Sequence, residues 1–208
     1  MKKTILTLIA VCFLCVTGIG ISHADNINLL TLPSATYSGH YVGAVGGNLN
    51  GGYAMKFYCD DFATTTYVPS SFAVAVSTLS NLSQTKFGGA PNAVSMYQQA
   101  GWLISQMESN PSQVGPIQFA LWNVFNSSTP DPAGSSDWLN AARSIDASKF
   151  DFSSVRVYTA TNTVNQEFVS GGAHALPETD VLPLICFGFI ALFLYSRIIG
   201  KRAAIAIN

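Results

Sequence analysis

Cys59 is the side chain best equipped for covalent chemistry. Cys12, Cys15 and Cys186 lie in apolar runs near the chain ends, which leaves Cys59 alone in the polar middle. A thiolate is the nucleophile of cysteine chemistry. A solitary cysteine in an oxidising compartment is buried and inert, paired between chains, or chemically capped. Three segments gather the side chains that stand out with it: Phe57-Tyr58-Cys59-Asp60-Asp61-Phe62, Tyr97-Gln98-Gln99-Ala100-Gly101-Trp102-Leu103-Ile104, and Ile117-Gln118-Phe119-Ala120-Leu121-Trp122. Each has a plainer reading. A lone cysteine at a strand end is a small buried hydrophobe, a glutamine on an amphipathic helix sits at its boundary, and Tyr and Trp at helical spacing belong to a core. Asp60 and Asp61 lack further oxygen donors nearby in sequence, so no metal site is expected. The chain has no Gly-x-Ser-x-Gly elbow and no His-Glu-x-x-His. A Cys59–His40 dyad is conceivable, but a hydrolytic enzyme is the weakest reading.

Taken in order, the three segments resemble the thioester domain of bacterial surface adhesins. That family has an aromatic-Cys segment, a Tyr-containing helical segment, and a segment with Gln before an apolar residue and Trp. The resemblance implies an internal thioester, and the Gln-x-x-Leu-Trp match assigns it to Cys59 and Gln118. Attack of the thiolate on the Gln118 carboxamide, with loss of ammonia, leaves an acyl group ready for an amine or hydroxyl on another surface. Holding both groups in one fold replaces a bimolecular encounter, worth up to about 7–11 kcal/mol in well-aligned cases. Water destroys such a bond, so aromatic side chains should screen it; Tyr58, Tyr97, Trp102, Phe119 and Trp122 are the available screens. The chemistry acts once, needs no cofactor, and does not make a turnover enzyme.

The elements that must position these groups read as an α+β domain of antiparallel strands plus about three helices. Tyr41 to Val45 and Tyr53 to Cys59 read as strands around a Gly46–Gly52 turn. Residues 72–82 fit strand or helix. Lys86 to Asn92 is a Gly/Pro loop. Tyr97, Ala100, Ile104 and Met107 share one face of a helix that Asn110-Pro111 ends. Pro116 opens a second helix, Ile117 to Phe125, with a stripe of Ile117, Leu121, Val124 and Phe125. Asp137 caps a third, Trp138 to Ala147. Segments 155–158 and 166–169 alternate like late strands. Gly171-Gly172 opens a linker.

The ends address the chain. Lys2-Lys3, an apolar run from Ile5 to Ile21 and Ser22-His23-Ala24 make a signal peptide, residues 1–24. A second apolar segment, residues 181–200, suits one membrane crossing. Arg197, Lys201 and Arg202 then hold the end, with a basic tail over 201–208, on the cytoplasmic side. Residues 25–172 are thus expected outside, tethered to the cell envelope. They hold five basic residues (Lys56, Lys86, Arg143, Lys149, Arg156) against nine acidic ones. That balance argues against a nucleic-acid partner. In the linker (173–180), Pro177-Glu178-Thr179 resembles the PEP-CTERM sorting signal, which implies an exosortase-like sorting transpeptidase as partner, although Thr179 replaces the second Pro. Leu176-Pro177-Glu178-Thr179 matches the LPxTG signal less its Gly. The body of the chain also resembles PEP-CTERM proteins. The expected function is a surface or matrix protein that attaches covalently. The alternative is a non-covalent polysaccharide- or protein-binding module in which Cys59 is merely buried.

Overall fold

Alternation of apolar residues builds the sheet. In the computed structural model, which describes residues 24–176, β1 (Asp25–Thr31) buries Ile27 and Leu29 while Asn26 and Leu30 face out. β2 (Ala35–Tyr37) and β3 (His40–Val42) form a small hairpin. β4 (Val45–Leu49), β5 (Ala54–Cys59) and β6 (Ser70–Ser77) follow. After the helices come β7 (Phe150–Asp151), β8 (Arg156–Ala160), β9 (Phe168–Ser170) and β10 (His174–Ala175). Six of these close an antiparallel barrel in the order β1-β4-β5-β9-β8-β6, and closure leaves no unpaired edge. Burying a side chain such as Ile27 or Leu29 contributes about 1.5–3 kcal/mol.

The helices occupy the excursion between β6 and β8. α1 (Ala93–Ser109) buries Tyr97, Ala100, Ile104 and Met107, the stripe its sequence predicts. α2 (Val114–Phe125) buries Ile117 through Trp122 without a break, so its middle turn is enclosed on all sides rather than along one stripe. It packs on α1, α3 and the β2–β3 hairpin. α3 (Ser135–Arg143) completes the layer. The fold is therefore α+β, with three helices on an antiparallel barrel.

Three local expectations need correction. The Gly46-Gly47 pair is strand, not turn: β4 runs through it, and the reversal comes at Asn50-Gly51, both at positive φ. The glycines are there because β1 and β4 lie so close that a Cβ on Gly47 would stand 2.1 Å from the Asn28 carbonyl oxygen. α2 begins before Pro116, at Val114, continuing from a 3-10 turn at Pro111–Gln113. α3 begins at Ser135 and ends at Arg143; Gly134, at positive φ, precedes it, and Asp137 sits in its first turn instead of capping it. Residues 72–82, open between helix and strand, are largely β6.

The chain stays in register past Gly172: β10 pairs with β7, and the Leu176 N–H donates to Lys149. The expected signal peptide (1–24, all but Ala24), the expected sorting motif Pro177-Glu178-Thr179, and the expected C-terminal anchor with its basic flank Arg197, Lys201 and Arg202 lie outside the described residues. Among the described residues no helix is long and apolar enough to cross a membrane.

Gly47→Ala should destabilise the domain by about 3 kcal/mol or more, because a backbone oxygen cannot yield to the new methyl group. Denaturant unfolding of the two proteins measures it.

Candidate functional site

Cys59 ends β5, and its strand neighbour is β9. The register pairs Cys59 with Phe168 and Tyr58 with Val169. Continued by one residue, it sets Asp60 against Glu167, and the Asp60 N–H donates to the Glu167 carbonyl at 3.4 Å. One residue further, Gln166 stands across from Asp61. Strand alternation therefore puts Cys59, Phe168 and Gln166 on one face and Asp60 and Glu167 on the other.

On the first face, Cys59 and Gln166 line a cavity of about 240 Å³ together with Gln118, Trp122, Phe62, His40 and the Thr64–Thr66 segment. The thiol donates to the Asp61 carbonyl at 3.3 Å, and Gln166 Nε2 donates to the same oxygen at 2.9 Å. Sulfur and amide nitrogen can be no farther apart than those two bonds laid end to end. The Gln166 backbone N–H is held by Thr66 Oγ1 at 2.7 Å, which ties the cavity rim to the segment entering β9.

Gln118 approaches Cys59 from α2. Its Nε2 donates to the Cys59 carbonyl at 2.8 Å, and its Oε1 accepts from the Gly43 N–H at 3.3 Å. The amide is fully buried, with both ends engaged by backbone. Gly43 has φ +95°, and a Cβ there would meet Val114 Cγ1 at 2.8 Å, so only glycine presents its N–H this way.

Burial pushes the Cys59 thiol well above the ordinary thiol range. Two neighbours oppose it: the bond to the Asp61 carbonyl and the Trp122 indole, whose buried N–H has no hydrogen-bond partner. An aromatic wall stands over the site. Phe119 and Trp122 pack at 5.0 Å between ring centroids, Phe62 and Trp122 at 5.2 Å, and the His40 ring lies 5.2 Å from Phe62 and 6.0 Å from Trp122.

Of the aromatic screens that the sequence offers, Trp122 and Phe119 are at the site. Tyr58 is on the opposite face, bonded to Glu108 at 3.2 Å. Tyr97 donates to Glu167 at 2.5 Å, also behind the sheet. Trp102 packs against Trp138, away from the cavity. Adjacent strand residues point oppositely, which is why Tyr58 cannot share the face of Cys59. Sequence reasoning missed Gln166, Gly43 and Phe62. The alternation of Gln166-Glu167-Phe168-Val169 held the signal for Gln166, since it aligns that residue with Phe168. Nothing marked Gly43 among neighbouring glycines. Asp61 is the partner of Lys86, at 2.5 Å, and no group of three or more His, Cys, Asp or Glu among the described residues is arranged to hold a metal.

No protein-family model and no curated protein matches the chain. Among solved structures it is similar to the N-terminal thioester domain of a surface protein from Clostridium perfringens, at 11% identity and a TM-score of 0.48, over 72% of this chain and 99% of that one. It is also similar to the N-terminal domain of the Streptococcus pyogenes pilus tip adhesin Cpa, at 10% identity and a TM-score of 0.41, over 76% of this chain and 97% of that one.

Lys86→Ala should destabilise the domain by about 2 kcal/mol, below the usual penalty for breaking a buried pair because the lysine is partly exposed. It should also loosen the cavity rim, since Lys86 Nζ holds Thr64 Oγ1 at 3.1 Å as well. Thermal unfolding and hydrogen exchange over residues 61–66 read the two effects.

Proposed function

We propose that this is an exported cell-surface protein whose domain carries an internal thioester on Cys59 and uses it once, to attach covalently to an amine or hydroxyl on another surface. One observation carries the reading: the Cys59 thiol and the carboxamide of a glutamine meet at a single carbonyl oxygen, on the floor of an open, aromatic-walled cavity. The thiol adds to the carboxamide carbon, the carbon–nitrogen bond breaks, and ammonia leaves with the thiol proton. An incoming amine then adds to the same carbon. The carbon–sulfur bond breaks, the amine proton passes to the departing sulfur, and an amide links the two molecules.

Two glutamines compete for the acyl role. Gln118, which the sequence motif favours, has both ends of its amide held by backbone, and losing its nitrogen would break the bond to the Cys59 carbonyl. Gln166 shares an acceptor with the thiol itself, on the same sheet face. The geometry favours Gln166 as the acyl donor and Gln118 as the clamp that fixes the Cys59 backbone. His40, against Trp122 and on the cavity wall, is the available base for the incoming amine.

The chemistry suits an extracellular setting, which the N-terminal residues 1–24 and the C-terminal apolar segment would supply. The sorting motif Pro177-Glu178-Thr179 would then pass the domain to a transpeptidase of the exosortase type.

The exported protein should start after Ala24 and weigh one ammonia less than its sequence. Cys59→Ala and Gln166→Ala should each restore the full mass while remaining folded. Gln118→Ala should instead lose about 2–3 kcal/mol of stability through the Cys59 and Gly43 groups it leaves unpaired. Intact-mass and unfolding measurements on the three variants separate the two glutamines. A wild-type mass equal to the sequence after Ala24 leaves the non-covalent binding module as the reading.

A further inference from the structure

Behind the reactive face, the same two strands oppose two acids. Asp60 and Glu167 are cross-strand partners and both are fully buried. Like charges directly opposite one another destabilise a sheet even in water, and a buried unpaired carboxylate is far more costly. Their surroundings are unequal. Glu167 takes three donors: the Tyr97 hydroxyl at 2.5 Å, the Lys86 backbone N–H at 2.7 Å, and the Thr159 hydroxyl. Asp60 takes none; both of its side-chain oxygens are buried without a partner.

Glu167 thus has the environment of a carboxylate and Asp60 that of an acid that must supply its own hydrogen. A cation between them would face the N–H and O–H hydrogens already aimed at Glu167, so a proton fits where a metal does not. We propose that Asp60 and Glu167 share one proton, Asp60 O–H donating to Glu167, and that this bond is a latch holding β5 and β9 in the register that sets Cys59 beside Gln166. In its bearing on the thioester, this inference rests on the function proposed above. Asp60 is then a positioning residue: its neighbour in sequence is the thiol, the neighbour of Glu167 is the carboxamide, and the latch acts through the backbone they share.

The groups facing Asp60 are Glu167, just before β9, Tyr97 from α1, and Cys59 and Asp61 from its own segment; Lys86 stands beyond them, paired with Asp61. Burial raises the Asp60 carboxyl well above the carboxylate range, with Glu167 the next cause. The native state therefore keeps a proton that the unfolded chain releases near pH 4. Stability from the latch is full below that pH and declines as pH rises through the folded value.

Asp60→Asn keeps a donor toward Glu167 and removes the titration; Asp60→Ala removes both. In the exported protein, the folding equilibrium of D60N relative to wild type should grow as pH rises above about 4, approaching about tenfold per pH unit until the folded value is passed. D60A should be less stable than D60N throughout. Thioester occupancy, read as ammonia loss, should fall in D60A and be retained in D60N. Parallel pH profiles for wild type and D60N, or D60N as impaired as D60A, overturn the latch. If D60N fails to fold, infrared spectroscopy of wild type decides. A protonated-carboxyl carbonyl band at pH 7 supports the shared proton, and its absence rejects it. A wild-type protein without ammonia loss at any pH defeats the thioester but not the latch, which the stability profile still judges.

Discussion

The antiparallel pairing of β5 with β9 is the constraint on which the site depends. It fixes which side chains share a face, and so puts the Cys59 thiol and the Gln166 carboxamide in front and the two acids behind. The closed barrel supports this by leaving neither strand an edge along which to slide. α2 supports it from above, because the Gln118 amide bonds the Cys59 carbonyl on one side and the Gly43 N–H on the other. The Thr64–Thr66 rim is pinned in turn through Thr66 to Gln166, just before β9, and through Thr64 to Lys86.

Burial of the thiol works in two directions. It disfavours the thiolate, which slows first attack by the sulfur. Once a thioester has formed, the same desolvation makes the sulfur a poor leaving group, so water hydrolyses the bond slowly, and the Phe62–Phe119–Trp122 wall limits its access. The proposed single-use reagent needs such a balance, since it must last until a target arrives. The Trp122 indole N–H, on the cavity wall with no hydrogen-bond partner, is a free donor that the proposed chemistry could use when a nucleophile enters.

Much of the scaffold could be read from the chain. The α1 stripe of Tyr97, Ala100, Ile104 and Met107 is buried as its 3.6-residue period requires, and β5 and β8 lie where aromatic and β-branched residues cluster. What failed is instructive. Gly46-Gly47 reads as a turn because glycine is the commonest turn residue, yet here it answers a close approach of two backbones that only the folded barrel creates. Asp137 looks like a cap, but Gly134 and the Ser135 bonds to Asp131 and Pro132 start the helix earlier. In the site, Cys59 could be found from its isolation among the cysteines. The approach of Gln166 to Cys59 could not, because it turns on cross-strand register, and register is set by pairing between segments about a hundred residues apart.

The reactive bond itself is best tested by offering a nucleophile small enough for the cavity. The exported protein would be incubated with methylamine, unfolded, digested and mapped by mass spectrometry, with thiols titrated in parallel. A Cys59–Gln166 thioester predicts one methylamide at position 166 and one newly released thiol at position 59 per chain. No incorporation at any glutamine, with Cys59 titrating as a free thiol in the untreated unfolded protein, contradicts it.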